Sequence, residues 1–365
     1  MKILLLGEYS NLHWTLAEGL RSLGHEVTVA SDGDGFKNNR RDIDLTRKSS
    51  GIIDTFKAVS NIYSHLDNLK GYDVVQLINP CFTTLNTQIN DYLYSFLKKN
   101  NDKVFLGAFG DDAYWLKACL DKEKFRYSEF YVNGKENDFT NNSYLKELWS
   151  EGTPRERLNT KIADTCDGII ACLYEYYVSY KDYYDKKLSY IPLPINLDRI
   201  GKTEIGKNDK VNFFIGINKP RTQIKGTDRL YDTLVKVGKK YEQGITITKI
   251  ESVSYSEYLE YIKDADVVLD QLYSYSPAMN GLLTLAMGKV LVSGAEPEMY
   301  DLLNESENRP IVNVIPSEED IFNKLENIIL NREALPHISN RSREFVENYH
   351  DYIKIARQYI DFWTR

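Results

Sequence analysis

The sequence is poor in the residues from which metal and redox sites are built. It has four cysteines, Cys81, Cys119, Cys166 and Cys172, and no pair shows the C-x-x-C spacing. Scattered in this way they read as reduced, mostly buried thiols, which points to a cytoplasmic chain. The five histidines, His13, His25, His65, His337 and His350, form no H-x-x-x-H pair and no cysteine–histidine set, so a zinc site is not expected. Positive charge is not in excess either. A net charge of -7 argues against a general polyanion binder and so against nucleic acid as a partner, but it permits a local cationic site for one or two phosphates. Long apolar runs are missing: none approaches the ~18 residues of a membrane span. The opening "MKILLLGEYS" has a very short apolar run followed at once by Gly-Glu, and reads as a buried first strand and not a signal peptide. No Asp-x-Asp pair stands where a divalent metal would be held. "DGDG", Asp32 to Gly35, reads as a turn, and no metal is expected.

What the chain does have is alternation. Its 365 residues suggest two domains, and apolar strand-like runs alternate with helix-period stretches, the pattern of parallel α/β architecture. "KILLLG", "HEVTVAS", "DVVQLIN", "KVFLGAF" and "GIIACL" read as strands of a first unit, with "LHWTLAEGLRSLG" as its first helix, stopped by Gly24. The polar stretch from Asp121 to Arg157 reads as helical pieces with a mobile excursion. "LSYIPLPINLDRI" carries two prolines and reads as a stiff extended connector. "KVNFFIGIN" opens a second alternating series, and three helical segments close the chain. The expected architecture is two Rossmann-like domains facing across a cleft, residues 1–192 and 193–350. Tyrosine is abundant at 27 residues, and "LYEYYVSYKDYYDKKLSY" puts many rings on one helix. Either that helix is half-buried with its phenol tips in water, or the rings line a cleft and stack on sugars.

Two segments carry candidate chemistry. After the strand "VNFFIGI" comes "NKPRTQIKGTDRL", with Lys219, Arg221 and Lys225 at a strand's carboxyl end and ahead of a helix. Three cations there suit a diphosphate, Arg as a bidentate fork and Lys as a point charge, although a solvated basic loop has the same composition. The strand end favours the diphosphate, because ligands of parallel α/β sheets bind there. Further on, "SYSPAMNGLLTLAMGKVLVSG" sets Met279, Asn280 and Gly281 where a helix begins between two strands. Free amides and the helix dipole at such a start attract anions.

"FFIGINKPRTQIKGTDRL" and "ADVVLDQLYSYSPAMNGLLTLAMGKVLVSGAEPE" resemble the donor half of retaining, group 1 family glycosyltransferases of the GT-B fold, closest to the bacterial capsule and surface-polysaccharide branch. "MKILLLGEYSN" resembles the family's first strand and acceptor loop, and "TCDGIIACLYEY…IPLPINLD" its domain crossover. The resemblance implies a UDP- or GDP-sugar donor, a glycan or lipid-linked acceptor, and no cofactor beyond the donor substrate. It makes 1–192 the acceptor side and 193–350 the donor side, with the last helix, 351–365, crossing back onto the first domain. Arg221, or Lys219 in its place, with Lys225 would grip the donor's phosphates, and Ser276 to Gly281 would form the loop meeting phosphate and sugar. Two carboxylates of the family pattern fall on Tyr275 and Leu283. Thr284, Glu296 or Glu298 are the substitutes at hand for holding the ribose. Across the cleft, Gly7, Glu8, Asn11 and His13 form the acceptor-side loop, with His13 either catalytic or a cap and packing residue. Asp111, in "GAFGDDAYW", is placed to accept a proton or bind a sugar hydroxyl, and Asp112 stands beside it.

The expected function is sugar transfer by a cytoplasmic, metal-independent enzyme of surface-polysaccharide synthesis, with peripheral membrane contact if the acceptor is lipid-linked. The terminal helix "DYIKIARQYIDFWTR" has mixed charge and suits the crossover better than a membrane surface. A non-catalytic nucleotide-sugar or glycan binder of the same fold is the alternative, motivated by Tyr275 and Leu283. An epimerase of the same two-domain shape lacks the acid/base pair it would need.

Overall fold

The structure is a computed structural model. It describes the whole chain except residues 138, 139, 141, 142, 207, 208, 252 and 254, and the side chains of residues 36, 255 and 256 also lie outside the description. The first half contains β1 (Lys2–Leu6), β2 (Glu26–Ser31), β3 (Ile43–Asp44), β4 (Val74–Leu77), β5 (Lys103–Ala108), a hairpin of β6 (Tyr131–Val132) and β7 (Lys135–Glu136), β8 (Gly168–Ala171) and β9 (Leu188–Tyr190). Its helices are α1 (Leu12–Ser22), α2 (Ile52–Ser64), α3 (Thr87–Asn100), α4 (Ala113–Leu120), α5 (Tyr144–Trp149), α6 (Pro154–Thr165) and α7 (Tyr174–Tyr184). The second half contains β10 (Val211–Ile217), β11 (Ile245–Glu251), β12 (Val267–Leu269), β13 (Val290–Ser293) and β14 (Val312–Asn313). With them are α8 (Thr222–Lys225), α9 (Thr227–Lys240), α10 (Tyr255–Asp264), α11 (Met279–Ala286), α12 (Pro297–Leu302), α13 (Glu318–Leu330), α14 (Leu335–Tyr349) and α15 (Tyr352–Trp363).

Two parallel sheets result. The first has seven strands in the order β3-β2-β1-β4-β5-β8-β9, the second five in the order β11-β10-β12-β13-β14. Central strands such as β1, β4 and β13 are apolar on both faces because helices cover both sides, so every residue from Ile3 to Leu6 is buried. Each sheet sends its strand ends toward one shared cleft, the two-domain α/β architecture of the GT-B fold.

The lobes are joined twice, and the two crossings are bonded to each other. Ile195 donates its amide to the His350 carbonyl (2.7 Å) and accepts from the Tyr352 amide (3.1 Å). α15 then lies along α1 of the first domain. Gly19 permits this approach: a Cβ there would stand 2.4 Å from the Tyr352 carbonyl oxygen. At its far end Trp363 is buried and donates Nε1–H to Gln76 Oε1 (3.2 Å). The terminal helix is therefore a crossover element, as the resemblance implied.

Two sequence expectations change. The connector "LSYIPLP" begins as an edge strand, because Leu188–Tyr190 pairs with β8 before the prolines end the ladder. The stretch from Asp121 to Arg157, expected to include a mobile excursion, contributes buried core residues, while its residues 138, 139, 141 and 142 lie outside the described ones. Its Phe125, Tyr127, Phe130, Leu145 and Trp149 are buried in a cluster that also takes Ile224 and Tyr275 from the second half.

Candidate active site

The cleft between the strand ends has a volume of about 1440 Å³. On the second-domain wall the chain leaves β10 and turns through Asn218 to Arg221 and the short α8. Lys225 ends that turn, and Gly226 follows at φ 66°, a left-handed conformation suited to glycine. The Lys225 ammonium stands 3.4 Å from Asp270 Oδ1, and Asn280 Nδ2–H donates to the same oxygen at 2.9 Å. Asp270, just past β12, thus fixes the cation and the first turn of α11 against each other. Its other oxygen is buried without a hydrogen-bond partner among the described residues, as is Arg221 Nε. α11 starts with no side-chain cap at Ala278, and Ala278, Met279 and Asn280 line the cleft. Gly281, in the same turn, is buried behind them with its Cα 's missing side chain replaced by close packing: a Cβ would lie 3.0 Å from Leu291 and Pro277.

The first-domain wall faces this with carboxylates. Arg221 reaches across to Asp111, Nη2 to Oδ2 at 3.5 Å. Desolvation pushes the Asp111 carboxyl up and the guanidinium opposes it, while the Asp111 charge holds Arg221 above its usual range. Glu129, in the turn before the hairpin, also lines the cleft. Desolvation pushes its carboxyl up to about 8, with Asp111 and Glu175 adding to the rise and Arg221 opposing it. Among the described residues every carboxylate lining the cleft, namely Glu8, Glu18, Asp32, Asp34, Asp111, Glu129 and Glu175, belongs to the first domain. The second domain contributes Arg199, Lys202, Arg221, Lys225 and Lys263, and the first also brings Lys37, Arg40 and Arg155 to the cleft.

The acceptor-side loop is built tightly. Gly7 has φ 87°, and a Cβ there would stand 2.2 Å from Ile78. Ser10 and Asn11 are also left-handed. Glu8, three residues before the Asn11 N-cap, closes the start of α1 from outside, accepting from the His13 amide (3.2 Å) and the Trp14 amide (3.0 Å), and burial pushes its carboxyl up to about 8. Glu8 and Asn11 line the cleft, whereas Gly7 lies beneath it. His13 does not reach it. Its ring is wholly buried, Nδ1 bonds the Gly7 carbonyl (2.7 Å), and desolvation lowers its pKa to about 3. The catalytic reading of His13 gives way to the packing one, because a wholly buried ring whose Nδ1 is bound to the Gly7 carbonyl presents no atom to the cleft. Asp112 likewise caps α4, accepting from the Trp115 amide (2.8 Å), and accepts from the Tyr180 hydroxyl (2.7 Å).

Other expected donor contacts are engaged elsewhere. Lys219 is exposed outside the cleft and pairs with Glu251 (2.8 Å). Ser276 is buried: its hydroxyl accepts from the Tyr174 amide (3.1 Å) and its own amide bonds Glu175 Oε1 (3.1 Å). Thr284 is buried and donates to the Asn280 carbonyl (3.0 Å), one turn back in its helix. Glu296 accepts from Tyr127 (2.6 Å) and from Arg126 (2.7 Å), which also pairs with Glu298. None of these three carboxyl or hydroxyl groups is left to hold a ribose. Tyr275 and Leu283, the two departures from the family pattern, have packing roles. The Tyr275 ring stacks on Tyr174 with centroids 5.5 Å apart, its hydroxyl accepts from the Arg126 amide (2.7 Å), and its own amide bonds Glu175 Oε1 (2.5 Å). Leu283 is buried with Phe214, Ile262, Val268 and Met287. Of the tyrosine-rich helix α7, Tyr180 is buried and Tyr183 is half exposed, while Tyr176 lines the cleft, so the helix is mainly a packing face with one ring in the cleft.

Sequence reading missed Asp270, Glu129 and Glu175. Asp270 had a local signal, an acidic residue ending the apolar run "DVVL". Glu129 and Glu175 had none, since their neighbours come from distant segments. Among the described residues no cluster of three or more histidine, cysteine or carboxylate side chains is arranged to hold a metal ion.

Comparison with known proteins adds the following. Residues 221–361 match the family described as glycosyl transferase-like. No curated protein matches the sequence. Among solved structures, a variant of S. aureus TarM in complex with Fondaparinux, alpha-GlcNAc-glycerol and UDP is similar at 10% identity with a TM-score of 0.58, covering 84% of this chain. This chain spans 59% of TarM's length. Sucrose-phosphate synthase from Thermosynechococcus elongatus aligns over 100% of this chain and 98% of its own, at 10% identity and a TM-score of 0.60. Anabaena Alr3699/HepE in complex with UDP and glucose aligns over 100% and 99%, at 12% identity and a TM-score of 0.60. From position 221 to 361 the chain is therefore glycosyl transferase-like in sequence, and over its whole length it has the GT-B fold.

Proposed function

We propose that the chain transfers a sugar from a nucleotide diphosphate sugar to a glycan or lipid-linked acceptor, with the diphosphate between Arg221, Lys225 and the uncapped start of α11. The observation that carries this is the convergence of those three features on one cleft wall, with the Arg221 Nε donor left without a partner among the described residues. Two cations and a helix start would stabilise the departing diphosphate where its charge develops, without a metal ion in the step. The second domain is then the donor side, and the first presents the acceptor along Glu8, Asn11, Asp111 and Glu129. Retention of anomeric configuration and a place in surface-polysaccharide synthesis follow the family resemblance. UDP is the first nucleotide to test, because the similar HepE and TarM structures contain it.

In this arrangement Asp111 competes with the donor for Arg221, and Asp270 holds Lys225 in position. Diphosphate entry would take Arg221 from Asp111 and free that carboxylate to accept a hydrogen bond from an acceptor hydroxyl. The second reading, a binder without turnover, is favoured by one feature: Leu283 offers an apolar surface beside the proposed diphosphate. Calorimetry with UDP, GDP and their sugars, followed by product analysis with bacterial glycan and lipid-linked acceptors, tests both. Binding with transfer supports the enzyme, binding without transfer or hydrolysis supports the binder, and no nucleotide binding removes both.

A further inference from the structure

The large apolar side chains left in solvent are concentrated at one place. α2 turns Ile52, Phe56 and Tyr63 to one side, at helical positions i, i+4 and i+11, with Ile53 beside them. Ile52 is 89% exposed, Phe56 74% and Ile53 71%, the three highest values of this kind. A separate face of the same helix, Ala58 and Ile62, is buried in the domain, so the exposed stripe is not the core-facing one. Tyr92 of α3 extends it, stacking on Tyr63 with ring centroids 5.7 Å apart. Five of the ten exposed large apolar residues among those described therefore share this surface. A contiguous patch of this kind marks a contact site, whereas single exposed apolar residues do not.

Its surroundings are net cationic in a chain of net charge -7, with Arg47, Lys48 and Lys57 against Asp54 in the first turn of the helix. Lys48 lies four residues ahead of the helix and Lys57 follows Phe56; both are exposed, and neither is in an ion pair among the described residues. Arg47 ties the segment to the cleft mouth, donating to the Thr84 carbonyl (3.3 Å), and Thr84 lines the cleft on the first-domain side.

We infer that this face of α2 seats on an anionic lipid bilayer. Ile52, Ile53 and Phe56 enter the boundary between headgroups and acyl chains, Tyr63 and Tyr92 lie at headgroup level, and Lys48 and Lys57 meet lipid phosphates. The polarity gradient along the helix matches that of an interface, aliphatic and Phe side chains at one end and amphipathic Tyr rings at the other. The free lysines match the negative charge of the lipid. The location presents the cleft mouth to the membrane, where a lipid-linked acceptor would stand. Vesicle binding is read without nucleotide, so it stands or falls separately from the diphosphate assignment.

The test is co-sedimentation of the full chain with phosphatidylcholine vesicles, with and without phosphatidylglycerol at about 30%. The wild type is expected to bind the anionic vesicles, and less so as salt rises. Ile52→Ser, Ile53→Ser and Phe56→Ser combined should lower binding about tenfold or more, with the melting temperature and UDP binding unchanged. Lys48→Glu with Lys57→Glu should remove the preference for anionic vesicles. The inference is overturned if the wild type stays in the supernatant, or if the triple variant sediments equally well. A wild-type dimer without vesicle affinity, made monomeric by the triple variant, would also overturn it in favour of a second copy on this surface.

Discussion

The two walls of the cleft are built alike and charged oppositely. Both consist of loops at the carboxyl ends of a parallel sheet, each followed by a helix start. On the first wall the helix starts are closed by the protein itself, α1 by Glu8 and α4 by Asp112. On the second wall α11 is left without a side-chain cap, and the nearby charges are Arg221, Lys225 and the Asp270 that holds Lys225 and Asn280 together. The same local architecture thus yields one wall whose helix starts are bonded by its own carboxyl groups and one whose helix start has no side-chain cap. The difference is the ground for proposing the second wall as the phosphate side, and it follows from which residues cap the helices.

Besides the crossing at Ile195, the walls meet in an aromatic contact centred on Tyr275. Tyr275→Ala would remove a buried ring held by Phe125, Tyr127 and Tyr174 and leave the Arg126 amide without its acceptor. The expected loss is about 3–5 kcal/mol of unfolding free energy. If the contact couples the lobes, the single thermal transition should also split in two. Urea denaturation and scanning calorimetry check this; a loss below about 1 kcal/mol would show that the cluster re-forms without the ring.

Next in size is the loss of the second wall's cation. Lys225→Ala should weaken UDP binding by roughly 1.5–3 kcal/mol, the range for hydrogen bonds to charged groups. Titration calorimetry reads it directly. Unchanged affinity would detach the diphosphate from this wall, and the contrast between the walls would lose its functional meaning.

The sequence showed this wall well and the other poorly, for a physical reason. Lys225, Asn280 and the α11 start owe their places to nearby strand ends, so spacing and period were enough to find them. Asp270 lies only ten residues from Asn280, yet its role needs Lys225 as well, 45 residues away. Glu296 looked available as a ribose ligand until the fold brought Arg126 to it across 170 residues. His13 sat in the correct loop, but the turn of α1 directs its ring into the domain. The stretch from Asp121 to Arg157, polar on average, hides the buried aromatics that join the lobes. Local pattern thus fixes strand ends and helix starts, and non-local packing decides which side chains at those ends remain free.

Smaller is the effect of the first wall's reach across the cleft. Asp111→Asn removes the anion facing Arg221 at 3.5 Å. A partly exposed pair at that distance is worth about 0.2–1 kcal/mol, so UDP should bind slightly tighter, by up to about fivefold. If the freed carboxylate orients the acceptor, transfer should slow while donor affinity rises. Parallel changes in both would assign Asp111 to donor binding alone.

A last expected effect concerns pH, and it again separates the walls. Glu8 and Glu129 have carboxyls pushed up to about 8 by desolvation, so the folded chain keeps protons that the unfolded chain releases from about pH 4.5 upward. Their contribution to stability is complete below that value and is lost as pH rises through about 8. Buried His13 and His350 act in the opposite sense, with pKa values lowered to about 3 and about 4, and stability from them is lost as pH falls below their usual range. Above about pH 6.5 the histidines are neutral in both states, and only the carboxyls still change. Unfolding free energy should therefore decline between about pH 6.5 and 8, and Glu129→Gln should make that decline shallower, with the slope below about pH 4.5 unchanged. Urea titrations at closely spaced pH values check it. A slope identical to the wild type would mean that Glu129 is already ionised at neutral pH, and the first wall would carry one more negative charge opposite Arg221 than the present contrast assumes.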